Sequence, residues 1–204
     1  AVFKITGICR FEILEKSNKS ETELSEDVKA EYEKLVNRID QICKAAFDSS
    51  VPLFIDAEET WIQDGIDRII RQMSLKYNSK RAIVYNTIQM YRHDRLAFLK
   101  NEIKHSNENN YVLGMKIVRG AYMEKERERA EKLGYPSPIQ PNKEASDRDY
   151  NSALELSLNN IENVSICAGT HNEDSSAFLA ELLLKHNISK NDPRVYFAQL
   201  LGMS

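Results

Sequence analysis

Six short apolar segments, each followed by a stretch patterned like a helix, constrain this chain more than any other feature. They are Val2–Gly7, Val51–Ile55, Ala82–Tyr85, the segment running into Lys116–Tyr122, Val164–Ala168 and Arg194–Ala198. β-Branched and aromatic residues without polar alternation suit strands buried on both faces. After the first of them, residues 15–24 are polar and read as a loop, and Ser25-Glu26-Asp27 then opens a helix. Val28, Tyr32, Leu35, Ile39, Ile42 and Ala46 recur at three- and four-residue spacing, which predicts one long helix lying on a sheet. Trp61, Ile62, Ile66, Ile69, Ile70 and Met73 mark the next helix, and Leu96, Leu99 and Ile103 another that ends near His105. Further helices are predicted over Glu124–Leu133, from an Asp147 cap through Tyr150, Leu154, Leu158 and Ile161, and from Glu173-Asp174 to about His186. The proline-rich stretch Gly134–Pro141 punctuates the chain without dividing it.

Strands alternating with helices call for right-handed parallel crossovers and an α/β fold. Two architectures answer that description, and the polar residues choose between them. Asp56, Gln89, Lys116, Arg119, Thr170, His171 and Gln199 fall in or just beyond the C-terminal parts of five different strands. A doubly wound sheet concentrates ligand groups at one switch point, whereas a (β/α)8 barrel gathers them from many strand ends around one mouth. No G-x-G-x-x-G follows the first strand. The expected fold is therefore a (β/α)8 TIM-barrel type, incomplete at six strands, with residues 1–204 as a single domain.

The segment Lys116-Ile117-Val118-Arg119-Gly120-Ala121-Tyr122 carries the chemistry that stands out. A cation at a buried strand end is costly unless an anion meets it, and Gly120-Ala121 removes bulk where a flat ligand would approach. Charge beside open space points to an anionic, planar ligand; a solvated strand end with ordinary surface cations is the plain alternative. Each neighbour has a plain alternative too. Asp56 and Glu58 could cap the helix after their strand, Lys4 could be a strand-end lysine in solvent, and Gln89 could satisfy buried backbone. His171, remote from other His and Cys residues, is a hydrogen-bonding group rather than a metal ligand. His93, His105 and His186 fall on predicted helices and read as surface residues, and Tyr122 and Leu200 would pass as packing residues anywhere.

Charge and cysteine usage exclude other classes. Lys and Arg number 28 against 31 Asp and Glu, interspersed for a net charge of -3, which argues against nucleic acid as a partner. Cys9, Cys43 and Cys167 are odd in number and widely spaced, so buried free thiols are expected rather than a disulfide frame or a metal site. No run approaches the roughly 18 apolar residues of a membrane span, and no signal-peptide core opens the chain.

Seven blocks, taken in order, resemble the motifs of the proline dehydrogenase family. They are Lys4 within Phe3–Gly7, Ile55-Asp56-Ala57-Glu58-Glu59, Thr87-Ile88-Gln89-Met90-Tyr91, Lys116–Tyr122, Asp147-Arg148-Asp149-Tyr150, Ala168-Gly169-Thr170-His171-Asn172 and Gln199–Met203. The resemblance implies an FAD-dependent barrel that oxidises L-proline to Δ1-pyrroline-5-carboxylate and passes the electrons to a membrane quinone. It also implies a place in the bacterial cytoplasm peripheral to the inner membrane, or on the matrix side of the mitochondrial inner membrane. Carried over by residue, it implies catalytic roles for Asp56 and Lys116, and substrate contacts from Lys4, Tyr122 and Leu200. Cofactor contacts are implied for Glu58, Gln89, Arg119, Gly120, Ala121, Thr170 and His171. The last two precede a helix start, where backbone N–H groups and the positive dipole end suit a pyrophosphate.

The departures matter as well. The blocks resemble strands two to seven of eight, and the family's Arg-Arg-x-x-Glu-Asn motif, which grips the substrate carboxylate, has no match here. A barrel truncated at both ends is expected to show little or no turnover alone, and its two open edges could pair with a second copy as a homo-oligomer. Three other readings stay open: a hydroxyproline dehydrogenase of the same family, a non-catalytic assembly fragment, and a barrel lyase or aldolase using Lys116 as a Schiff-base amine.

Overall fold

The structure is a computed structural model that describes residues 1–19 and 24–202. Six strands, β1 (Val2–Phe3), β2 (Leu53–Ile55), β3 (Val84–Gln89), β4 (Leu113–Val118), β5 (Val164–Gly169) and β6 (Val195–Ala198), form one sheet. The strands pair in chain order, every pair parallel. A doubly wound sheet would reverse direction at its switch point, and this one does not.

The sheet curls. The rings of Phe54 on β2 and Tyr196 on β6 lie 6.2 Å apart, with Tyr85 of β3 packed between them at 4.6 and 6.2 Å. Four flat inter-strand spacings would separate β2 from β6 by about 19 Å, so the inner faces of these strands look at each other across a barrel interior. Gly114 makes room for that plug: a Cβ there would sit 2.6 Å from the Val84 carbonyl oxygen and 2.9 Å from the Tyr85 ring. The opposite faces carry Ile88, Leu113, Met115, Ile117, Val164 and Ile166 into a core shared with Leu99, Ile103, Tyr150, Leu154, Leu158 and Leu179 of the outer helices.

Those helices are α1 (Phe11–Lys19), α2 (Glu26–Asp48), α3 (Thr60–Tyr77), α4 (Arg95–Glu108), α5 (Met123–Leu133), α6 (Lys143–Leu158) and α7 (Glu173–Lys185). Several differ from expectation for identifiable reasons. Residues 11–19 form a helix where the polar stretch from 15 onward predicted a loop; residues 20–23 of that loop lie outside the described residues. α1 buries Ile13, Leu14 and Ser17, and its Asn18 side chain accepts the Gly65 N–H at 2.9 Å, so close packing on α3 substitutes for a long apolar stripe. β1 is only two residues, because Ile5–Gly7 turns into a short 3-10 helix. β3 runs on through Gln89, four residues past its predicted end. On α2 the inner stripe includes Cys43 rather than Ile42. α6 is capped by Asn142, whose side chain accepts the Ala145 N–H at 2.8 Å; Asp147 lies inside the helix. His93 sits in an exposed turn, His105 lies 3.1 Å from the Tyr111 hydroxyl, and His186 buries its Nε2.

Asn78, fully buried at the end of α3, fixes where β3 begins. Its side chain donates to the Val84 carbonyl at 2.8 Å and accepts the N–H groups of Ile83 and Val84, both at 2.9 Å. Asn78→Ala leaves those backbone groups without partners, and a loss of about 2 kcal/mol is expected in urea denaturation.

Candidate active site

The C-terminal ends of the strands, together with the loops that leave them, bring most of the expected residues to one mouth. Register explains how. Thr87, Lys116 and Cys167 are partners on β3, β4 and β5 and share a face of the sheet, the same face that presents Tyr85 and Gly114 two residues earlier. Lys116 thus points into the barrel, above the aromatic plug. There its Nζ lies 2.7 Å from Asp56 Oδ1, a half-buried ion pair joining β4 to the end of β2. Burial pushes the neighbouring Cys167 thiol above its ordinary range, and the Lys116 charge opposes that shift.

A second contact stands at the rim. Lys4 Nζ donates to the Tyr122 hydroxyl at 2.9 Å, bringing together residues 118 positions apart. That hydrogen bond raises the Lys4 pKa above its ordinary value against a smaller opposing effect of burial, so the ammonium persists through neutral and mildly alkaline pH.

The loop between β2 and α3 supports both contacts. Glu58 accepts hydrogen bonds from Thr6, through the backbone N–H at 3.0 Å and through the hydroxyl, while its own N–H donates to Gln63 at 2.7 Å. Gln89 donates from its side-chain amide to the Glu58 carbonyl at 2.8 Å. Both oxygens of Glu58 and the amide nitrogen of Gln89 are therefore engaged within the chain, in the backbone-satisfying manner that Gln89 alone suggested.

Arg119 is engaged still more fully. Its guanidinium donates to Asp147 at 2.6 Å, Thr170 Oγ1 at 2.6 Å and Ser175 Oγ at 2.9 Å, and it stacks 4.3 Å from the centre of the Tyr150 ring. One side chain thus ties the end of β4 to α6, the β5 loop and the start of α7. Burial alone would raise the Asp147 carboxyl, but hydrogen bonds from Lys143 and Arg119 hold it below the usual carboxylate range.

Thr170 Oγ1 also accepts the Asn172 N–H at 3.0 Å, and the Asn172 side chain accepts the Ser175 N–H at 2.8 Å. α7 is thereby capped by its own residue, with Glu173 and Asp174 in its first turn, which leaves less of a bare helix end than the sequence suggested. His171 accepts the Leu200 N–H on Nε2 at 3.1 Å, and Leu200 is 66% exposed. Gly120 and Ala121 are exposed at the rim. A hollow of about 330 Å³ opens at the ends of β5 and β6, lined by Ala168, Thr170, Ser176, Phe197, Ala198 and Gln199; Ala168 and Phe197 lie in the row of Ile117, so it opens on the helix-facing side of the sheet.

Residues 7–204 match the family model described as Proline dehydrogenase. The chain belongs to the proline dehydrogenase family. Among curated relatives, it is 36% identical over 182 residues to proline dehydrogenase 1, mitochondrial, of Drosophila melanogaster, covering 84% of this chain and 27% of the fly protein. It is 31% identical over 184 residues to the hydroxyproline dehydrogenase of Xenopus laevis, covering 88% of this chain and 40% of that protein. It therefore spans well under half the length of either. The crystal structure of proline utilization A from Bdellovibrio bacteriovorus superposes with a TM-score of 0.84 at 21% identity, covering 99% of this chain and 20% of that one. That likeness establishes the fold of this chain as part of a TIM-barrel type.

Sequence reasoning assigned no role to Thr6, Thr60, Glu126 or Ser175 in these contacts. Their signals are long-range: Thr6 meets a carboxylate 52 residues away and Thr60 one 66 residues away. No local spacing announces such a pair.

Proposed function

We propose that the protein containing this chain oxidises L-proline to Δ1-pyrroline-5-carboxylate with FAD, and that the mouth of this barrel holds the reacting groups. The observation that carries the reading is the Lys116–Asp56 pair pointing into the barrel with Lys4 and Tyr122 joined at the rim above the β2–α3 loop, in a chain of this family. On this reading residues 1–204 are part of a single barrel domain.

Lys4 supplies a cation for the substrate carboxylate, and Tyr122 an aromatic face and hydroxyl beside it. Asp56 fixes the Lys116 ammonium in one orientation, so that its charge is preorganised where negative charge develops as the C–H bond beside the ring nitrogen breaks. FAD, when bound, supplies the hydride acceptor. The residues fit that group: Gly120 and Ala121 leave the rim exposed and without bulk, and Arg119, Thr170 and His171 set cationic, hydroxyl and imidazole groups at the ends of β4 and β5. Glu58 and Gln89 serve the site by shaping the β2–α3 loop. Leu200 provides an apolar surface at the rim.

The electrons pass onward to a membrane quinone, which places the protein at a membrane surface. Contact is peripheral on this reading; among the described residues no helix is long and apolar enough to cross a membrane. The relatives named mitochondrial favour the matrix side of the inner membrane over the bacterial cytoplasm. Hydroxyproline oxidation is the second reading, favoured by the match to the Xenopus laevis protein.

The test is a visible absorption spectrum of the whole protein containing this chain after incubation with FAD and desalting, followed by anaerobic L-proline or hydroxyproline. Retained flavin that bleaches with proline faster than with hydroxyproline is the expected result for a chain whose site is complete. Retained flavin that neither amino acid bleaches removes the catalytic assignment of these residues.

A further inference from the structure

α5 is out of place for a barrel helix. α6 lies against β4 and β5 as the crossover, whereas α5 reaches from Tyr122 to the start of α3. Its sequence, Met-Glu-Lys-Glu-Arg-Glu-Arg-Ala-Glu-Lys-Leu, reads as solvated throughout, yet Glu126 is 0% exposed. Both of its carboxylate oxygens are engaged by Thr60, the first residue of α3: one accepts the backbone N–H and the other the hydroxyl, each at 2.7 Å. Glu59, the residue preceding that helix, gives it no side-chain cap, so a carboxylate from a different helix satisfies the N-terminus and complements its dipole. Lys125 pairs with Glu59, and Lys125 and Arg129 lie 5.6 and 4.3 Å from the centre of the Trp61 ring system, closing the same junction.

Tyr122 is coupled directly to this junction. It precedes α5, and its carbonyl accepts the Glu126 N–H at 2.9 Å. The contact with Lys4 is consequently part of a closed ring. Lys4 lies two residues from Thr6, which is clamped by Glu58; Glu58 lies two residues from Thr60, which is clamped by Glu126; and Glu126 holds Tyr122. Each clamp has the same chemistry, a buried carboxylate receiving a threonine's N–H and hydroxyl.

We propose that Glu126 and Thr60 are positioning residues that hold Tyr122 at its distance from Lys4 and so set the fit of the substrate carboxylate and ring. The inference rests on the reading of Lys4 and Tyr122 as a substrate pocket, and its test separates the two. In the flavin-free chain, Tyr122→3-fluorotyrosine gives a ¹⁹F resonance whose response to Lys4→Met calibrates the loss of the rim contact. Glu126→Gln and Thr60→Val are each expected to move that resonance toward the Lys4→Met position, while Thr60→Ser, which keeps both donors, leaves it in place.

In the FAD-loaded protein the same two substitutions are expected to raise KM for L-proline about tenfold with kcat changed less than about threefold, the double variant being no worse than either single one. An unmoved resonance in both overturns the proposal. A moved resonance with unchanged KM leaves the clamp standing and removes Tyr122 from the substrate pocket.

Discussion

Gly120→Ala is expected to destabilise the chain by about 4 kcal/mol and lower its Tm by roughly 12 °C, read by circular dichroism. Two independent terms add. Gly120 has φ +129°, a conformation essentially closed to residues with a Cβ, which costs on the order of 1–3 kcal/mol. A Cβ there would also lie 2.3 Å from Cδ1 of Tyr91, and overpacking of a filled site costs a further 1–3 kcal/mol or so. The ring has little freedom to yield. Tyr91 is buried, its N–H donates to the Arg119 carbonyl at 2.8 Å, and its own carbonyl accepts the Gln140 N–H at 2.7 Å.

Gly134→Ala is the control. That glycine also has a positive φ, +71°, but nothing within 4 Å would meet its Cβ, so a loss nearer 1 kcal/mol is expected. Equal losses at the two positions would show that Tyr91 does not fill the space beneath Gly120. The functional consequence follows from the chain path. The turn at Gly120 sends Arg119 toward α6 and α7 and Tyr122 toward Lys4, so a distorted turn disturbs both contacts at once.

That turn shows what the sequence makes legible and what it withholds. Lys116, Arg119, Gly120 and Ala121 stand out because a strand that ends in charge and then loses its side chains is chemically unusual, and the structure does place them at the mouth. The barrel curl was legible for the same reason, since polar residues at the ends of many strands make sense only if those ends converge. Partners were not legible. Arg119 reads as a free cation until the fold brings Asp147, Thr170 and Ser175 to its three sides.

Glu126 reads as one more solvated charge in a charged helix, because burial of a carboxylate depends on a helix start 66 residues earlier. The proline-rich loop reads as punctuation, yet Ile139 bridges to Arg92 and Gln140 braces Tyr91 beneath the Gly120 turn. Local propensity failed at α1 and at the start of α6 for a milder reason: Ser17, Asn18 and Asn142 act through side-chain hydrogen bonds and close packing, which leave no apolar period to follow.

Lys116→Met is expected to slow proline-dependent bleaching of the FAD-loaded protein by about 100-fold or more, measured anaerobically by stopped flow, with the protein still folded. Methionine keeps the length and the apolar stem of lysine and removes only the charge. Asp56 then loses its 2.7 Å partner while only a quarter exposed, which costs about 1 kcal/mol of stability, far less than the effect on rate. Lys116→Arg retains a cation able to pair with Asp56 and is expected to keep a substantial part of the rate. Asp56→Asn leaves the charge but frees its orientation, so its rate should fall between the two, and the double variant should be little worse than Lys116→Met alone if the residues act as a unit.

The same geometry weighs against Lys116 as a Schiff-base nucleophile, for an ammonium locked to a carboxylate has no lone pair to offer a carbonyl. Borohydride reduction in the presence of a carbonyl substrate is therefore expected to leave Lys116 unmodified. A covalent adduct at that position, together with full bleaching by Lys116→Met, would assign the residue to lyase chemistry and remove it from proline oxidation.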